Sequence, residues 1–556
     1  MTDVIKLDGS PGGGKSYTLE QRLRDAKDDG LGLTDFWWLN FTTSGRKDVE
    51  PVLEDLWPDP GPDIDASDRA KTVHGLALSL AIRDGLIDPE EVGNAVIQQG
   101  SYGEDDVNPF ADFCERHAVP YNPDADNARK LLAGHGNKPE TGNKLFAIND
   151  YLRQKKLGVE RWRDAPVDIR TPGTAVKRLL KAWDRYKREH EPRLYEHGDY
   201  VNEVIEHGLT PDVDLLLIDE FQDLAPLEYK LYKQWRDDGR IEKILIAGDP
   251  NQSIYSFRGG TPLYFEETDV DGTKTLKQSY RCPSNIANVG YEILSCHPET
   301  DPRGFDGKND GGTVRRSVID DATALRDVVV SDATEYGTDP SVLLLTRTNY
   351  QLRRISKALR DLGVPFKTLG SQSGVWGTDL ERAYAFLRSL GTVETFPKPV
   401  VDDVLKRLPD GKDRLDTLTA TKSEYRGSGV EDALDDFETV LDVVDRLDFG
   451  DRVTDWKRSV LRNALDAPND ITPGAVKVGT IHTSKGLEAP SVYLFVNSSK
   501  RTERQYRRND DYAAEEHRIY YVGATRASDK LTLVDGYFEG PVAPPIQRLT
   551  ATGVVA

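Results

Sequence analysis

Short apolar runs, each closed by a Gly, Asp, Asn or Thr, recur along the chain: Val4–Leu7, Phe36–Leu39, Leu215–Ile218, Ile244–Ala247, Val342–Leu345 and Leu531–Val534. Runs of this length read as strands buried in a sheet. Amphipathic stretches such as Tyr17–Ala26 and Tyr350–Leu362 follow them and read as covering helices, so the alternation predicts an α/β doubly wound architecture, met twice along the chain. Between residues 80 and 195 the texture changes to amphipathic helical sequence, broken by Pro172-Gly173 and carrying basic clusters at Arg153–Lys156 and Lys177–Arg188. These clusters read as solvated helix faces. A second helical, acidic stretch interrupts the later α/β pattern from 371 to 475. Trp37 and Trp38, inside an apolar run, read as core.

The ends of the predicted strands carry the chemistry. The first strand runs into Gly9-Ser10-Pro11-Gly12-Gly13-Gly14-Lys15-Ser16, a P-loop pattern. Its glycines let backbone N–H groups curl around a polyphosphate, Lys15 reaches the β/γ-phosphates, and Ser16 offers a hydroxyl to Mg²⁺. The run ending at Ile218 is closed by Asp219-Glu220-Phe221-Gln222-Asp223. Asp219 is placed for Mg²⁺ and Glu220 to take a proton from an attacking water. After Ala247 comes Gly248-Asp-Pro-Asn-Gln252-Ser-Ile-Tyr255-Ser-Phe257-Arg258, where Gln252 is a candidate γ-phosphate sensor and Tyr255 and Phe257 offer faces on which bases stack. Tyr280 beside Arg281 combines a stacking ring with a guanidinium. Phe41–Arg46 and Lys71–Gly75 supply hydroxyls and amides suited to a phosphodiester chain, although His74 taken alone reads better as a satisfied structural histidine. Thr525-Arg526-Ala527, far from the P-loop, suggests an arginine finger.

Composition narrows the setting more than the chemistry. The 94 acidic against 73 basic residues give a formal charge of −21, unlike the basic footprint of many nucleic-acid binders. An ordinary solubilising surface and adaptation to a salt-rich cytoplasm both account for it, and Asp-rich tracts at Trp57–Asp68 and Glu431–Asp448 favour the second. The three cysteines, Cys114, Cys282 and Cys296, lack metal or disulfide-framework spacing, and no apolar run reaches a membrane span. A cytoplasmic protein without a signal peptide is expected.

Taken together, Gly9–Ser16, Asp219–Asp223, Gly248–Tyr255, Gln278–Arg281, Thr480-Ile-His482 with Lys485-Gly-Leu-Glu488, and Val522–Arg526 resemble, in order, the motifs of UvrD/Rep-type superfamily 1A DNA helicases. The resemblance implies two RecA-like P-loop NTPase core domains, each with a mainly helical insertion. The first core would comprise 1–79 and 196–267, with 80–195 inserted; the second would comprise 268–370 and 476–556, with a reduced insertion at 371–475. It implies ATP and Mg²⁺ as cofactors, single-stranded and tailed duplex DNA as partners, and ratcheting translocation with 3′→5′ polarity as the cleft between the cores closes and reopens. It further implies Arg281 and Arg526 as γ-phosphate fingers, Gln252 as sensor, Tyr280 as base stacker and Glu488 as ribose contact. Phe41, Thr42, His74, Tyr255, Phe257, Arg347, Asn349 and His482 would line the strand track. Eight residues precede Gly9, so the family's upstream adenine-reading glutamine motif is not expected; Phe257 stands where Trp is common and Ala489 where Phe is usual. The alternative reading is a nucleic-acid-activated NTPase switch working with a partner nuclease or repair protein.

Overall fold

The computed structural model describes residues 2–549 except 62–63, 100–101, 103–106, 126, 133–138, 371–375, 422, 451–452 and 468–470. The chain forms two compact units, residues 1–280 and 281–556.

The first unit is built on a six-stranded sheet in the order β3-β2-β4-β5-β1-β6. Its strands are β1 (Asp3–Gly9), β2 (Phe36–Asn40), β3 (Ala70–Thr72), β4 (Leu215–Ile218), β5 (Lys243–Gly248) and β6 (Gly272–Leu276). All pairings are parallel. Successive side chains of a strand point to opposite faces. Accordingly Leu216, Ile218, Ile244 and Ile246 enter one apolar cluster, while Leu215, Leu217, Leu245 and Ala247 enter another across the sheet. This two-sided burial is why the strands read as unbroken apolar runs. Trp38 is in the core, whereas Trp37 is only partly buried, its ring covered by the Arg69 guanidinium.

Strand β6 was not legible as part of this sheet. Its Gly-Thr-Lys-Thr-Leu sequence is mostly exposed because it is an edge strand, yet it pairs with β1 from Ile5↔Gly272 to Gly9↔Leu276. The first unit therefore runs to Tyr280, past the boundary expected at 267/268.

Between β3 and β4 the regular elements among the described residues are helices, Gly173–Glu189 being the longest. Its basic cluster is not wholly a solvated face. Lys187 is buried and donates to Glu196 at 2.6 Å and to Asp199, while Arg153 pairs with Asp184 and Asp199. The acids that neutralise them lie far away in sequence or on another helix, so a charge count along one helix misses the burial.

The second unit repeats the scheme with β7 (Thr313–Val318), β8 (Val342–Thr346), β9 (Lys367–Thr368), β12 (Val476–Thr480), β13 (Ala489–Phe495) and β14 (Ala527–Asp535). The parallel order is β7-β14-β13-β8-β12-β9. A short antiparallel pair, β10 (Thr395–Pro397) with β11 (Glu424–Arg426), and several helices lie between β9 and β12. The start expected for this insertion, at 371, falls outside the described residues. Leu380, Val401 and Val443 from this region share one apolar cluster with Leu344, Val476 and Val478 of the sheet. Among the described residues no helix is long and apolar enough to cross a membrane.

Candidate nucleotide and nucleic-acid site

In the first unit β4, β5 and β1 are adjacent and parallel, so their carboxyl ends converge on one edge. Residues 9–16, 219–223 and 249–258 all leave the sheet there, the edge at which ligands bind in such folds. The P-loop turns through left-handed backbone at Gly12 (φ 66°) and Gly14 (φ 75°), and Gly14 caps the helix Lys15–Asp28. A Cβ on Gly13 would meet the Ser10 carbonyl oxygen at 2.9 Å, so glycine is required for the curl. Strand β6 and its continuation brace the loop. Ser10 N–H donates to Leu276 O at 3.2 Å, Tyr280 N–H to Gly12 O at 2.8 Å, and Ser279 Oγ to Pro11 O at 2.7 Å.

Lys15 Nζ folds back onto the carbonyls of Gly9 (3.1 Å) and Ser10 (3.2 Å). Ser16 Oγ donates to Asp219 Oδ2 at 2.7 Å. Burial, and after it the neighbouring Glu220, raise the Asp219 carboxyl above its ordinary range. Burial likewise raises Asp249. A hydroxyl and a carboxylate in contact, beside a second acid, are hard oxygen donors of the kind Mg²⁺ takes, and such a cation would offset the clustered negative charge. The donor set and the glycine cradle thus fit a Mg²⁺-nucleotide.

Glu220 sits in left-handed backbone (φ 55°, ψ 38°), uncommon for a residue with a Cβ. Gln252 is buried and donates through Nε2 to Asp249 Oδ2 at 2.8 Å. Tyr280, 74% exposed, lies next to Gly14, where an added Cβ would stand 3.7 Å from its ring.

On the same edge the aromatic residues form a shelf. Phe41, just past β2, stacks on Tyr255 with centroids 5.6 Å apart; Phe257 meets Tyr255 edge-on at 5.9 Å, and the Arg258 guanidinium lies 4.8 Å from the Phe41 ring. Thr42 accepts from Gly45 N–H and caps the following helix. His74 Nδ1 lies 3.0 Å from the Glu228 carboxylate. Burial alone would raise Glu228, but its bonds to His74 and to the Ala225 N–H outweigh that and hold it below the usual range. His74 thus has the structural partner that the residue alone suggested.

The second unit sorts its candidates to opposite edges. Arg347 and Asn349 follow the carboxyl end of β8 and His482 that of β12, whereas Glu488 and Arg526 precede β13 and β14. Arg281 and Glu488 form an ion pair. Arg526 is buried, donating from Nε to Val522 O at 3.0 Å and from Nη1 to Leu487 O at 3.3 Å. Cys282 Sγ contacts Thr525 O at 3.4 Å, so three nucleotide candidates of this unit lie together.

Residues 176–271 match the UvrD/REP helicase N-terminal domain, and residues 415–535 match the UvrD-like helicase C-terminal domain. Both matches support the resemblance to UvrD/Rep-type helicases. Among curated relatives, it is 24% identical over 409 residues to the ATP-dependent DNA helicase PcrA of Leuconostoc citreum, covering 58% of this chain and 54% of that protein. It is 24% identical over 342 residues to the ATP-dependent DNA helicase UvrD2 of Mycobacterium tuberculosis (57% and 46%). To the ATP-dependent DNA helicase Rep of Escherichia coli K12 it is 23% identical over 422 residues (60% and 61%). The chain spans about half the length of the curated relatives it matches.

Against this UvrD/Rep-type pattern, one assigned strand residue has an internal role. Arg347 is held by Glu516, with Nε 3.1 Å from both carboxylate oxygens and Nη2 2.5 Å from one, and Glu516 is itself buried. Although burial opposes charge, the Glu516 carboxylate keeps the guanidinium firmly protonated. The sequence offered no sign of this pairing, because the partners are 169 positions apart. Sequence reasoning also passed over Gln222 and Asp249, which stand inside the assigned motifs and are completely or almost completely buried. A glutamine among acids at a strand end was the available signal.

Proposed function

We propose that this chain is an ATP-driven single-strand DNA translocase that unwinds tailed duplexes with 3′→5′ polarity. The observation that carries the reading is that one sheet edge of the first unit bears both a P-loop with the Ser16–Asp219 pair and the Phe41–Tyr255–Phe257 shelf. The residues 249–258 run from one to the other, so nucleotide and strand would act on one short loop.

In this reading a polyphosphate takes the place of the Gly9 and Ser10 carbonyls as the partner of Lys15. Ser16 and Asp219 would hold Mg²⁺, which neutralises phosphate charge when bound. Glu220 accepts a proton from the attacking water, and Gln252 senses the γ-phosphate. Arg281 and Arg526 supply transition-state charge from the second unit, Tyr280 stacks on the base, and Glu488 meets the ribose. Thr42, His74, Asn349 and His482 complete the track, with Arg347 positioned through Glu516. The cytoplasm is the compartment that suits DNA as substrate and three free thiols.

Two substitutions test the chemistry. Lys15→Ala and Glu220→Gln should each abolish phosphate release, but titration with a fluorescent nucleotide should show affinity lost in the first and kept in the second. Normal hydrolysis by the Glu220→Gln protein would remove Glu220 from the role of base.

A further inference from the structure

Gln222 makes three bonds that no catalytic assignment uses. Its side chain is fully buried. Nε2 donates to Glu220 Oε2 at 2.5 Å, Oε1 accepts from Asp249 N–H at 3.1 Å, and its backbone carbonyl accepts from Ser253 Oγ at 3.1 Å. The amide therefore spans from the proton acceptor to the first residue past β5, and the carbonyl holds the residue two positions before Tyr255.

The surroundings require this arrangement. A Cβ on Gly248 would lie 2.5 Å from Gln222 Oε1 and 3.0 Å from the Phe265 ring, so glycine there leaves the amide its seat. Glu220 is held in left-handed backbone, a conformation that persists in a residue with a Cβ when its surroundings fix it. Past Ser253, Ile254 is buried and Tyr255 accepts two backbone bonds at its carbonyl, from Arg258 and Gly260. The aromatic shelf is thus rigidly joined to the segment that Gln222 grips.

We infer that Gln222 is a positioning residue that aims Glu220 and fastens it to the loop bearing Tyr255, so that a strand on the shelf sets the geometry of the base. The inference rests on the functional reading above. Two physical features support a relay over plain packing. Each polar atom of the amide is spent on a different motif, and a buried amide cannot let go of one partner without leaving an unsatisfied group. A displacement of residues 249–253 is therefore transmitted to Glu220 through one side chain.

The test replaces the amide with an apolar chain of similar length, Gln222→Met, in the full protein, with Ser253→Ala as the second variant. Affinity for a non-hydrolysable ATP analogue and for oligothymidylate is measured separately and then together, alongside turnover with and without the strand. Gln222→Met should keep each separate affinity and the KM for ATP within about twofold, lower strand-stimulated kcat by about tenfold or more, and abolish the change in strand affinity caused by the analogue. Ser253→Ala should reduce the same coupling while leaving unstimulated turnover intact. A Gln222→Met protein with wild-type stimulation and coupling overturns the inference. So does one in which both affinities and thermal stability fall together, since Gln222 would then be packing alone. Wild-type protein without strand-stimulated turnover contradicts the functional reading and the relay with it, whereas a stimulated wild type beside an unaltered variant contradicts the relay only.

Discussion

Arg281 and Arg526 are offered the same role but stand in different surroundings. The Arg281 side chain pairs with Glu488, which is half exposed, while Arg526 is buried among carbonyl oxygens. If both stabilise transition-state charge, Arg281→Ala and Arg526→Ala should each slow strand-stimulated hydrolysis on the order of a thousandfold. Thermal melting should separate them. Removing Arg526 leaves the Leu487 and Val522 carbonyls short of a donor and should lower stability, whereas Glu488 without Arg281 can remain in water. Near-normal turnover in either variant would take that arginine out of the reaction. Arg347 belongs to a third kind: deleting it strands Glu516 as a buried charge, so its loss should be read first as a folding defect.

At the level of elements, the proposed function has the loop after β5 hold a polyanion on a protein of net charge −21. Phosphate contacts weaken linearly in log salt, while base stacking contributes about 1–3 kcal/mol per base and is far less sensitive. Tyr255→Ala and Phe257→Ala should therefore keep their deficit in single-strand affinity at molar KCl, and the deficit of Arg258→Gln should shrink there. Fluorescence anisotropy at low and molar salt measures both, and the opposite ordering would refute a stacking grip. The strands bearing these loops were legible because two-sided burial writes an unbroken apolar run, as in Leu215–Ile218. Strand β6 was not, since an edge strand needs no such run and Lys274 and Thr275 face water. The motif residues at strand ends were marked as candidates by their spacing. Gln222 and the Arg347–Glu516 pair were not, because a hydrogen bond between distant segments leaves no periodic trace in either.

Across the whole molecule, each unit carries its own parallel sheet, and only the first bears a P-loop. A single P-loop with two sets of strand-end residues suits a motor whose second unit supplies charge and grip. The same parts would also serve a switch that hydrolyses nucleotide when a strand binds. What separates motor from switch is directed movement, and polarity is the sharpest form of it. The deciding measurement is strand displacement from duplexes carrying a 3′ or a 5′ single-stranded tail, with ATP and Mg²⁺, beside the Glu220→Gln protein as the hydrolysis-dead control. The account predicts displacement from the 3′-tailed duplex alone, and none by the control. Strand-stimulated hydrolysis without displacement from either substrate, or displacement favouring the 5′ tail, would contradict it.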